Sequence, residues 1–155
     1  MAQEILKVSN EILMKYVCDN LAVGKFVTIR VRGNSMLPFL RDNKDCVTLK
    51  KVEENHCFAN GDIILFHYNG KYLLHRIIHQ EGEKLYVRGD NRWTKEYEII
   101  TAQDVIGLVH SVNRNGHYIK CDRHLWKWCS KIWIICFTCL SHLHHKYKQG
   151  ITLFK

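Results

Sequence analysis

The sequence predicts a mainly β domain of antiparallel strands with an amphipathic helix at each end. Three observations predict it. Residues 26–120 divide into short β-branched runs separated by glycine and asparagine turns, residues 3–21 carry apolar side chains at three-to-four-residue spacing, and a basic, aromatic-rich stretch follows residue 120. With 155 residues, 46% hydrophobic and 25% charged, the chain has the composition of one folded domain. Nine glycines and one proline are too few for a collagen-like repeat or a stiff linker, which excludes fibrous and low-complexity classes. The expected organisation is an N-terminal helix within residues 1–24, a β domain over residues 25–120 and a C-terminal tail over residues 121–155.

In the first segment, Ile5, Leu6, Ile12, Leu13, Val17 and Leu21 alternate with Glu4, Lys7, Glu11, Lys15 and Asp19, the pattern of a helix with one buried face. It is too polar to span a bilayer. Phe26 to Arg32 is β-branched and partly alternating, and Gly33-Asn34 then breaks the strand. Asp45 to Val52 and Ile63 to Tyr68 read as further strands. Asn69-Gly70 is a strong two-residue hairpin signal, with Lys71 to Gln80 returning. Glu81-Gly82 leads into Lys84 to Arg88, and Asn113 to Gly116 joins Val105–Val112 to His117–Lys120.

Charge divides the chain unevenly. Residues 1–112 hold 15 basic and 14 acidic side chains, net +1, whereas residues 113–155 hold eight basic side chains and only Asp122, net +7. The same tail carries three of the four tryptophans, four of the seven cysteines and five of the ten histidines. An acidic partner such as a membrane surface suits this charge; no nucleic-acid motif accompanies it, and no nucleic acid is expected. Seven cysteines, and an N-terminus without a basic region followed by an apolar one, predict free thiols and no cleavable signal peptide.

Three places carry chemistry. Ser35 follows the Gly33-Asn34 break, where a sharp turn can present both its hydroxyl and its N–H; serine becomes a nucleophile when a base removes its proton. His75 lies in Tyr72-Leu73-Leu74-His75-Arg76-Ile77, on the face shared with Leu73 and Ile77, and a free imidazole with a pKa of about 6.5 suits a general base. Arg88-Gly89-Asp90-Asn91-Arg92, with Glu96 beyond it, offers carboxylates that could orient the second imidazole nitrogen. Each has an ordinary reading as well: a turn serine, a core histidine and a tight turn.

Taken in order, Gly33-Asn34-Ser35-Met36-Leu37-Pro38, Gly61-Asp62-Ile63-Ile64-Leu65-Phe66, Leu74-His75-Arg76-Ile77, Gly89-Asp90-Asn91-Arg92 and Asp104-Val105-Ile106-Gly107 resemble the boxes of the type I signal peptidases and LexA-like serine peptidases, of the S24/S26 type. The likeness covers about residues 25–112. It implies a largely β peptidase fold with Ser35 as nucleophile and His75 as base, the histidine form found in endoplasmic-reticulum and archaeal signal peptidases. It also implies that Gly33, Asn34, Met36 and Pro38 shape the oxyanion site and cleft, and that Gly89-Asp90-Asn91 supports the base. The third catalytic position of the family is an aspartate a few residues after the Gly-Asp-Asn turn; position 96 is glutamate here. Either Glu96 or Asp90 takes the role, or the site is a dyad. The resemblance further implies a substrate held as an extended strand, with small residues before the cleaved bond, and requires no cofactor or metal.

The resulting expectation is a signal-peptidase-like serine endopeptidase acting on a peptide or small-protein precursor, a dedicated substrate rather than general secretory traffic. It would be membrane-associated through residues 121–145 and otherwise cytoplasmic. The charge-free run Ile132–Leu140 has nine residues, well short of the roughly 20 that cross a bilayer. Three arrangements of the tail remain open: a helix in the membrane interface, packing on the body or a partner, and a short span. Cys129, Cys136, Cys139, His142, His144 and His145 have ligand chemistry but compressed spacing, so no metal is assigned. Two other functions compete. A LexA-like self-cleaving regulator normally carries a DNA-binding domain, for which the roughly 24 residues before the first strand are too few. A non-catalytic β module would work through the basic tail alone.

Overall fold

The computed structural model describes residues 10–92 and 96–152, with side chains through Phe137 and at Leu140. Its elements are α1 (Asn10–Ala22), β1 (Val27–Arg30), β2 (Asp45–Lys50), β3 (Ile63–Tyr68), β4 (Lys71–Glu81), β5 (Lys84–Arg88), β6 (Glu98–Ile100), β7 (Val105–Arg114), β8 (His117–Lys120) and α2 (His124–Thr152). All strand pairs are antiparallel, in the order β1-β2-β7-β3-β4-β5-β6, with β8 on β7. The mainly β architecture between two helices agrees with the sequence expectation. β6 was not expected: three residues are too few for a pattern of their own, and pairing to β5 makes them a strand.

The sheet curls around two apolar clusters. In the first, Met14, Val17 and Leu21 of α1 pack on Val27, Val47, Leu49, Val109 and Val112. Ile12 faces outward, while Ile5 and Leu6 lie outside the described residues. The second joins Ile64, Phe66, Ile77, Leu85, Val87 and Ile100. Burying a side chain of this kind stabilises the fold by roughly 1.5–3 kcal/mol. The clusters fix the two strand regions that carry the chemistry: the exit of β1 and the middle of β4.

Helix α2 carries apolar side chains on two faces. Trp126, Ser130, Trp133 and Phe137 recur at helical spacing against the body, whereas Leu125, Trp128, Ile132 and Ile135 form a second, exposed apolar stripe. Among the described residues no helix is long and apolar enough to cross a membrane. The side chains of Cys139, His142, His144 and His145 lie outside the described residues.

Candidate active site

The chain leaves β1 through Val31 and turns at Gly33, whose φ of +87° would strain any residue with a side chain. The Gly33 N–H donates to Asp42 Oδ1 at 2.8 Å, closing the loop that presents Ser35. The base of the loop is fixed by Asp45, fully buried between two guanidinium groups: Arg41 Nη2 and Arg114 Nη2 reach its oxygens at 2.9 and 2.8 Å. Burial pushes this carboxyl up, but the hydrogen bonds from Arg114 and Arg41 outweigh it and hold Asp45 below its ordinary pKa. Met36 and Leu40 drop into the first core cluster. The expectation that Met36 shapes the cleft is therefore corrected, because its side chain is 2% exposed and serves as the loop's anchor.

Ser35 Oγ lies 3.1 Å from His75 Nε2, and His75 Nδ1 lies 3.1 Å from Glu98 Oε2. The three side chains come from the β1 exit, β4 and β6. His75 is 3% and Glu98 6% exposed, so the line runs from a half-buried hydroxyl into the interior. Arg92 Nη1 donates to the other Glu98 oxygen. Burial pushes the Glu98 carboxyl up, yet the hydrogen bond from His75 and the charges of His75 and Arg92 prevail and hold it below the usual carboxylate range. An ionised carboxylate on Nδ1 selects the tautomer with its proton there, leaving Nε2 free to accept the serine proton.

Asp90 and Glu96 were alternatives for the carboxylate beside His75, and this geometry places neither there. Glu96 is exposed, two residues before the strand that turns Glu98 inward. Asp90 faces the other way, forming a buried pair with Arg76 through Nε–Oδ1 and Nη2–Oδ2 bonds of 2.7 and 2.8 Å. Its turn still touches the site through the backbone. The Asn91 N–H donates to Ser35 O at 2.7 Å, and Asn91 Nδ2 donates to Asn34 O at 3.2 Å. A Cβ on Gly89 would stand 2.8 Å from Ser35 O and 3.1 Å from His75 Nε2, so only glycine permits this approach. Glu98 was missed because its only sequence signal, a carboxylate in Glu98-Ile99-Ile100, depends on recognising a three-residue strand.

A cleft of about 600 Å³ opens between β1 and β4, lined by Ile29, Val31, Arg32, Leu65, Leu73 and Leu74 among others, the last being the chain neighbour of His75. Its two backbone walls are unpaired. Among the described residues β1 bonds only β2, and Lys71–His75 of β4 bond only β3, since β5 joins β4 from Arg76 onward. Pro38 lies on another side, in a cleft of about 830 Å³ with Phe39, Leu125 and Trp126. Burial pushes the nearby Cys121 thiol up to about 12, which removes it as a nucleophile at neutral pH.

A family model described as Peptidase S24-like matches residues 4–110, a span that holds Ser35, His75 and Glu98 and ends before α2. No curated protein matches the chain.

Proposed function

This chain belongs to the Peptidase S24-like family, a family of serine peptidases, and on that premise we propose that it cuts a leader or signal segment from a peptide or small-protein precursor, as the histidine-base signal peptidases do. One observation carries the reading: Ser35, His75 and Glu98 stand in line at 3.1 Å steps; the cleft between β1 and β4 offers an extended substrate two free strand edges.

An extended peptide adds hydrogen bonds to exposed edges, and the apolar floor takes alternate side chains. Ser35 Oγ attacks the carbonyl carbon while His75 Nε2 takes its proton, and the carbonyl electrons move to oxygen. We assign the Ser35 N–H as a donor to that oxyanion. Collapse breaks the C–N bond, His75 returns the proton to the leaving amine, and water reverses the sequence at the acyl ester. Glu98 stabilises the imidazolium without itself taking the proton.

The membrane surface is the setting that the exposed stripe of α2 supports. Trp128 and Ile132 with exposed Lys127 and Lys131 alongside match a helix whose apolar side chains enter the headgroup boundary while its cations meet anionic lipid.

The test uses purified wild type, Ser35→Ala and His75→Ala, each shown to be folded, incubated with leader-like peptides in detergent and read by mass spectrometry. Cleavage after small residues by wild type alone is expected. Equal cleavage by the Ser35→Ala protein, or none by any of the three, overturns the reading; new termini within the protein itself identify self-cleavage instead.

A further inference from the structure

The inner face of α2 touches both chain segments that hold Ser35. One is the turn that follows the serine. Phe39 meets Trp126 and Trp133 edge-on, at ring-centroid distances of 5.4 and 6.0 Å, and lies 4.5 Å from the Arg76 guanidinium. The other is the Gly89–Asn91 turn. Trp133 Nε1 donates to Asp90 O at 3.3 Å, and Arg76 Nη1 donates to Ser130 Oγ at 2.8 Å while the same guanidinium grips Asp90. Arg76 is 0% and Ser130 1% exposed, so this bond is made in the interior.

The path from helix to nucleophile is short. Arg76 follows His75 on β4, and Asp90 lies between Gly89, which packs on Ser35 and His75, and Asn91, which bonds Ser35 O. A hydrogen-bonded chain of buried groups with one arrangement transmits small displacements, because such interiors do not deform continuously. The family match ends at residue 110, before the helix.

We infer that Ser130 and Trp133 of α2 are positioning residues of the peptidase site, acting through Arg76, Asp90 and Phe39 to hold Ser35 in line with His75. The inference rests on the serine-nucleophile reading above. Nη1 of Arg76 donates to Gly61 O and Ser130 Oγ, so loss of the Ser130 hydroxyl leaves one buried N–H of that nitrogen unpaired, and the Asp90 turn relaxes with it. α2 is then a working part of the catalytic centre rather than an appendage.

The experiment measures covalent labelling of the 155-residue chain by a fluorophosphonate, resolving the maximal rate, the probe's half-saturation concentration and the labelled fraction. Ser130→Ala is expected to lower the maximal rate about 5- to 30-fold, and Trp133→Phe, which keeps the ring but loses the N–H, about 2- to 10-fold. Half-saturation and labelled fraction stay at wild-type values. Tyr118→Ser, an exposed apolar position on β8, labels at the wild-type rate. A merely structural role gives a smaller labelled fraction reacting at the wild-type rate, and that result, or unchanged rates in both inner-face variants, overturns the inference. Should Ser130→Ala not fold, Trp133→Phe alone decides. Absence of labelling in the wild type instead contradicts the nucleophile reading itself.

Discussion

His75 and Arg76 are consecutive on β4 and serve opposite sides of the sheet: the imidazole meets Ser35 and Glu98, the guanidinium Asp90 and Ser130. Strand alternation makes one residue the chemical partner of the nucleophile and the next the anchor of the turn behind it.

The division of labour separates two carboxylates by phenotype. Glu98→Gln removes the group that fixes the His75 tautomer, so kcat falls on the order of 100- to 10,000-fold with the fold intact. Glu96→Gln, at an exposed position, leaves kcat within twofold. Steady-state turnover of the same leader peptide by the two variants checks this.

Asp90→Ala acts first on stability. It leaves the fully buried Arg76 charge without its bidentate partner, a loss of about 3–5 kcal/mol for broken buried pairs. Denaturant unfolding should show a lower midpoint for Asp90→Ala and a wild-type midpoint for Glu96→Gln.

Gly89→Ala separates activity from stability in the other direction. The added methyl meets Ser35 O at 2.8 Å and must displace the Ser35 loop or the turn. Peptide turnover should drop at least tenfold, a change worth about 1.4 kcal/mol in the barrier, while circular dichroism stays native.

Acid acts through two carboxylates. Glu98, held below its ordinary range by His75 and Arg92 against the opposing effect of burial, stays ionised well below neutrality. Stability follows at lower pH: Asp45 and Glu98 both have depressed folded pKa values, so their contribution is complete above the unfolded carboxylate value of about 4 and is lost as pH falls through the folded value. Tm should hold from neutrality to that range and then decline, with a flatter decline in Asp45→Asn.

The strands were legible because Asn69-Gly70 and Gly82 mark turns between β-branched runs, and Ser35 and His75 because ordered boxes surround them. The identity of the third carboxylate was not. Position 96 is nearer the Gly-Asp-Asn turn in sequence, but a side chain turns inward only where a strand pairs, and the β5–β6 register opposes Glu98 to Val87. The second face of α2 was hidden for a similar reason: Trp126, Trp128 and Trp133 look alike in sequence, and only docking on Phe39 and Asp90 separates inner from outer.

The central claim is that Ser35, activated by His75, is the nucleophile. Peptide mapping after fluorophosphonate treatment tests it most directly. The account predicts one adduct, on Ser35, absent from Ser35→Ala and strongly slowed in His75→Ala; an adduct on another residue, or undiminished labelling without His75, would contradict it.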